Sequence, residues 1–209
     1  SPSAPSCWQV DVRIQSTAIL GTVRLLPGEP PLACRDTAEA RWWARAVARR
    51  LAAREARALH ALAGLGGFPA LLGWDGRRLL RSAIPGLTLR EAQPRDPAYF
   101  RAALRLLTRM HRRGIAHNDL AREPNWLVTP AGAPALIDFQ LAWRDPRRGR
   151  LFRLMAREDL RHLLKHKRQY CAQHLSARQR RLLASPSGAA RLWRWTLQPL
   201  GRRLRAWLG

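Results

Sequence analysis

The chain has 209 residues, enough for one sizeable core, and carries a formal charge of +24 from 38 basic and 14 acidic side chains. That balance attracts nucleotides, nucleic acid, acidic glycolipid and anionic membrane alike, and because Lys165 and Lys167 are the only lysines the arginine bias belongs to the whole chain, not to one site. No apolar run reaches membrane-spanning length, residues 1–6 have neither a charged nor an apolar leader region, and Cys7, Cys34 and Cys171 form no CxxC pair; the expectation is a cytoplasmic protein without disulfides or a cysteine zinc site.

Val10, Val12 and Ile14 alternate with Asp11 and Arg13, the period of a half-buried strand, and 19–26 reads as a second strand. Turn residues at 27–31 precede a short third strand at 32–35. Residues 38–62 read as a helix whose apolar face is Trp43, Val47, Leu51, Leu59 and Leu62, with arginine on the other side. The pair Asp75 and Gly76 predicts a tight turn between strands at 71–73 and 79–82. A joint at 83–86 then separates an amino-terminal lobe, 8–82, from a carboxy-terminal lobe, 87–209.

In the second lobe, 97–113 predicts a helix with Phe100, Leu104, Leu107 and Met110 on one face, ended by Gly114. A hairpin at 126–137 turns over 129–132, and helices follow. Near the end, Trp193, Leu197, Leu200, Leu204 and Leu208 share a face opposite Arg194, Arg202, Arg203 and Arg205. Segment 192–208 reads either as a basic amphipathic helix at a membrane surface or as a stripe packed on the body. His111, His162 and His166 lack the spacing of a zinc site.

Three pieces carry chemistry: His117-Asn118-Asp119-Leu120, then Asn125, then Ile137-Asp138-Phe139-Gln140 at the end of an apolar run. A carboxylate at Asp119 can orient a hydroxyl and take its proton. Asp138 and Asn125 offer the hard oxygens that Mg²⁺ prefers, leaving room for phosphate and water. The bland alternative is that both aspartates merely cap nearby turns.

The order and spacing of these pieces resembles the catalytic and metal-binding loops of the protein-kinase fold, most closely its small divergent bacterial branch, the RIO-like and lipopolysaccharide-core sugar kinases. The resemblance implies an α+β, compact two-lobed protein-kinase-like fold, a single domain over 1–209 with a small β-rich amino-terminal lobe and a reduced helical carboxy-terminal one. It implies ATP and Mg²⁺ as cofactors, Asp119 as the catalytic residue, and Asn125 and Asp138 as metal ligands. Arg35 would be the strand cation on the α- and β-phosphates, oriented by Glu55, whose own alternative is a surface pair with neighbouring arginines. Backbone groups from Arg81 to Ile84, Ala83 among them, would receive adenine. His117 would be scaffolding, and Asp159 either steadies the catalytic loop or faces solvent.

Departures from the family pattern bear on regulation and competence. Asn118 replaces an arginine common in regulated kinases, so control by a phosphorylated loop is not expected. Asn125 lies six residues beyond Asp119 where five is usual, Gln140 stands in a glycine position, and no GxGxxG occurs near the start. Arg35 replaces a lysine, and a planar guanidinium is not a point-charge substitute for an ammonium. The expected activity is transfer of the γ-phosphoryl of ATP to a hydroxyl of a protein Ser/Thr or of an acidic glycolipid sugar, with peripheral membrane association and only non-specific nucleic-acid binding. The alternative is a catalytically impaired pseudokinase, a basic scaffold for nucleic acid or anionic membrane.

Overall fold

The computed structural model of the chain describes residues 13–28 and 31–185. Residues 10–12, Cys7 and the stripe at 192–208 lie outside them. Strands β1 (Arg13–Ala18), β2 (Gly21–Leu26), β3 (Leu32–Asp36), β4 (Leu71–Trp74) and β5 (Arg78–Ser82) form an antiparallel sheet in the order β1-β2-β3-β5-β4. Asp75 closes the β4–β5 turn by accepting the N–H groups of Arg77 and Arg78 at 2.7 and 2.6 Å, with Gly76 in the left-handed region that this turn requires.

Helix α1 (Arg45–Ala61) begins later than the sequence predicts, after a 3-10 turn at Trp42–Ala44. The delay has a local cause. Thr37 is pinned to the β4–β5 turn, its N–H and hydroxyl both donating to Arg77 O at 3.0 and 2.7 Å, while Asp36 Oδ1 accepts from Ala38 N–H at 2.8 Å. The buried face keeps Leu59 and Leu62 of the expected one and otherwise differs from it. It is Ala48, Ala52, Glu55, Ala56 and Leu59, whereas Trp43 and Val47 face outward. A row of alanines lets the helix approach the sheet more closely than tryptophan would.

The helical part is assembled around α3 (Pro97–Arg112), whose start has Asp96 accepting from Ala98 N–H at 2.7 Å and Pro97 in the first turn. Gly114 follows its end at φ +70°, and a Cβ there would lie 2.5 Å from Asp145 O. The inward face of α3 is Tyr99, Phe100, Ala103, Leu106, Leu107 and Met110, so Leu104 sits at the rim, partly exposed, instead of in the core. Between β5 and α3 lie β6 (Leu87–Thr88) and a four-residue helix, α2 (Leu89–Ala92), started by a Thr88–Glu91 capping box that the sequence reading passed over.

After α3 come β7 (Ile115–Ala116), β8 (Trp126–Val128), β9 (Pro134–Leu136) and β10 (Trp143–Arg144). β6, β8 and β9 make one small sheet, and β7 pairs with β10. Helices α4 (Arg150–Tyr170) and α5 (Ala177–Ala184) complete the described residues. Leu59 of α1 and Leu62 just after it join Leu106, Leu107, Met110, Trp126, Leu136, Phe139 and Leu163 in one buried cluster, which fixes α1 against the helical part. Cys34 and Cys171 are buried and are not joined in a disulfide, and no helix among the described residues is long and apolar enough to cross a membrane.

Candidate active site

The loop between β7 and β8 carries His117, Asn118, Asp119 and Asn125. It is tied down at both ends. Asp159, buried on α4, accepts the backbone N–H groups of His117 at 2.8 Å and Asn118 at 3.0 Å, and its Oδ2 lies 3.1 Å from His111 Nε2. Further along, Leu120 O accepts from Trp126 Nε1 at 3.2 Å and lies 2.8 Å from His166 Nε2. Asn118 has φ +65°, a left-handed conformation that asparagine tolerates better than most residues, and its side-chain amide donates to Leu141 O at 3.1 Å. That backbone shape gives a local reason for asparagine where an arginine was the family expectation.

Asn125 is buried and faces Asp119. Its Nδ2 donates to Asp119 O at 2.8 Å and to Asp119 Oδ2 at 3.0 Å, with Arg122 Nη1 3.7 Å from the same carboxylate oxygen. The longer spacing between the two residues is taken up by a 3-10 turn at Glu123–Asn125. Glu123 is locked there by Arg90, Gln169 and Tyr170, whose hydroxyl donates at 2.7 Å and is the main reason the Glu123 carboxyl is held below its usual range.

The Asp138 segment lies against this loop. Ile137 N–H donates to Asn125 O at 3.1 Å, and Ile137 O receives His117 Nε2 at 3.0 Å. His117 is fully buried, its ring lies 4.6 Å from the buried ring of Phe139 and tilted to it, and burial lowers its pKa, so it is a neutral donor through Nε2. Asp138 itself adopts φ +66° and ψ +71°, a costly conformation for a residue with a side chain, and Gln140 Nε2 donates to its Oδ1 at 2.6 Å. Gln140 thus has a geometric task that sequence reasoning treated only as a departure.

On the sheet side, Glu55 of α1 is fully buried between two cations. Arg81 Nε lies 3.1 Å from Oε1 and Arg35 Nε lies 3.7 Å from Oε2, yet neither carboxylate oxygen accepts a hydrogen bond. Burial pushes the Glu55 carboxyl up, Arg81 and then Arg35 pull it back, and the charge of Asp138 reaches it as well. The reading of Arg81 as a backbone contact for adenine needs correction. Arg81 pairs with Ala33 on one side and Leu71 on the other, in a strand flanked on both edges, and its contribution is the side chain on Glu55. Ala83 N–H donates to Pro31 O at 2.7 Å, which leaves Ala83 its carbonyl to offer. The surface-pair alternative for Glu55 is also excluded by its burial.

Arg54, beside Glu55, donates to Ala142 O at 3.1 Å and to Leu141 O at 3.2 Å. It fastens α1 to the turn that follows Asp138. Nothing in an arginine-rich helix marks one arginine for that contact, and no local pattern announces His166 on the Leu120 carbonyl either.

The donor set suits Mg²⁺. With Nδ2 committed to Asp119, Asn125 keeps Oδ1 as an acceptor, and Asp138 keeps Oδ2. No cluster of three or more His, Cys, Asp or Glu side chains with metal-binding geometry occurs among the described residues. Two hard oxygens fit an ion that retains waters and binds phosphate.

No protein-family model and no curated protein matches this chain. Among solved structures it is similar to the Rio2 kinase from Chaetomium thermophilum, with a TM-score of 0.61 and 16% identity over 95% of this chain and 71% of that one. At that identity the likeness is one of fold. The chain has a kinase-like fold, with a small antiparallel-sheet lobe and a helical lobe.

Proposed function

We propose that the chain is an ATP- and Mg²⁺-dependent phosphotransferase acting on a hydroxyl. The observation that carries this reading is the amide of Asn125 set on the Asp119 carboxylate while its backbone carbonyl holds the segment of Asp138. Asp119 orients the acceptor hydroxyl and takes its proton as the hydroxyl oxygen bonds to the γ-phosphorus and the bond to the β–γ bridging oxygen breaks. Asn125 and Asp138 would hold Mg²⁺, which when bound neutralises phosphate oxygens. Arg35, 13% exposed and without a hydrogen-bond partner for its Nε, is the cation for the nucleotide phosphates, and Glu55 with Arg81 fixes its place.

The acceptor is a protein Ser/Thr or a sugar of an acidic glycolipid, and an anionic acceptor suits the surroundings. Next to the Asp119 loop a groove of about 690 Å³ is lined by Arg122, Lys165, Arg168 and Arg90, of which Arg90 is neutralised by Glu123 at 3.0 Å. A second reading, an inert scaffold, is favoured by the arginine at position 35 and by Glu55 lying closer to Arg81 than to Arg35.

Calorimetric titration of ATP with and without Mg²⁺ separates the two. Mg²⁺-dependent binding in the wild type, lost in Asp138→Ala and kept in Asp119→Ala, supports the phosphotransferase. No binding to the wild type supports the scaffold.

A further inference from the structure

The outward side of the α1 region carries large apolar side chains among its arginines, where a surface helix is ordinarily polar throughout. Trp42 is 81% exposed, Trp43 55% and Val47 49%. Ile19, 52% exposed in the turn between β1 and β2, adjoins them, since its carbonyl accepts Arg41 N–H at 3.2 Å. Arg41, Arg45, Arg49 and Arg50 are exposed around these side chains, and none of the four is in an ion pair among the described residues. The nearby carboxylates are already neutralised, Glu39 by Arg24 and Asp36 by Arg78 at 3.0 Å.

We propose that this patch, centred on Trp42 and Trp43, docks the protein on an anionic lipid surface. Tryptophan partitions to the boundary between headgroups and acyl chains, and arginines around it meet the negative headgroups. Complementarity of charge selects an anionic partner. The aliphatic members select lipid over nucleic acid, because bases stack on aromatic faces whereas Val47 and Ile19 gain only from contact with hydrocarbon. The proposal does not depend on the phosphotransferase reading. Its consequence for the fold is that the docked helix is the one carrying Arg54 and Glu55, so the membrane would hold the element that is fastened to the turn after Asp138 and bears the buried carboxylate.

The test uses the full chain with vesicles of phosphatidylcholine alone, or mixed with phosphatidylglycerol, and brominated acyl chains as quenchers of tryptophan fluorescence, in about 0.15 M salt. Wild type should bind the mixed vesicles and be quenched, and should leave neutral ones largely unbound. Trp42→Ala with Trp43→Ala should lose quenching and bind about 10-fold more weakly, with the fold kept and only a small fall in melting temperature, since Trp42 is largely and Trp43 more than half exposed. Arg45→Glu with Arg49→Glu should lose binding to the mixed vesicles in the same way. Undiminished quenching and affinity in the tryptophan double variant would place any lipid contact elsewhere and overturn the proposal. So would weakened binding of that variant to a single-stranded oligonucleotide with vesicle binding intact.

Discussion

The carboxylate of Asp159 receives the backbone N–H of His117 at 2.8 Å from 42 residues downstream, and the N–H of Asn118 at 3.0 Å on its other oxygen. One buried side chain on α4 therefore fixes the entry to the Asp119 loop, including the left-handed turn at Asn118. Replacing it by asparagine keeps the size but leaves only one oxygen to accept, and turns an amide toward a donor. Asp159→Asn should destabilise the fold by about 2–3 kcal/mol in urea titration and lower phosphoryl transfer. Unchanged stability would mean that the two N–H groups find other acceptors.

Much of the candidate site was legible because it is local and ordered along the chain. Asp119, Asn125 and Asp138 fall in short motifs whose residue types limit the available chemistry, and the turn signals at Asp75 and Gly114 were equally direct. Arg81 was misread because its meaning lies across strands: only the β3–β5 register puts it on the same face as Arg35, above Glu55. The inner face of the α1 region was read correctly at Leu59 and Leu62 and misread at its start, because a hydrophobicity count favours Trp43 and Val47 over alanine, while close packing against a sheet favours alanine. The contacts of Arg54 and His166 are long-range and carry no local signature.

The two arginines on Glu55 should separate in their effects. Arg81 is the nearer partner of a fully buried carboxylate, and removing it leaves that charge with Arg35 alone at 3.7 Å. Arg81→Ala should cost about 3–5 kcal/mol of folding stability. Arg35→Ala should cost less stability and more nucleotide affinity. Thermal unfolding and ATP titration on both variants would check this, and the assignment of Arg35 to phosphate falls if its loss leaves nucleotide binding intact.

Gln140 holds Asp138 through a 2.6 Å hydrogen bond, so placing there the glycine that the kinase resemblance implies should weaken the site instead of improving it. Gln140→Gly frees one carboxylate oxygen but releases its orientation. Partners of a ligating carboxylate commonly contribute ~10-fold or more to metal affinity. Titrating Mg²⁺ at fixed ATP should show a loss of about that size. A gain in Mg²⁺ affinity would mean that Gln140 blocks the ion.

His117 makes stability depend on pH in a definite direction. It is fully buried, its Nε2 lies on Ile137 O at 3.0 Å, and its Nδ1 has no partner, so the folded protein keeps the ring neutral while burial lowers its pKa. The unfolded chain takes up that proton near pH 6.5. Below that value the unfolded state binds more protons, and stability must fall, by at most about 1.4 kcal/mol per pH unit for this one group. His166 and His162, also lowered chiefly by burial, add slopes of the same sign. Glu55 runs the other way: its raised pKa gives a contribution that is full below the ordinary glutamate range and is lost as pH rises through the folded value. The wild-type slope is therefore a sum, and the difference between wild type and His117→Gln isolates one member of it. Urea midpoints between pH 7.5 and 5.5 should show the variant less stable at the upper end and the two proteins converging on acidification. Parallel curves would mean that His117 titrates in the fold as it does in the unfolded chain, and curves that diverge on acidification would mean that it is protonated inside the fold; either outcome would overturn its assignment as a neutral donor to Ile137 O.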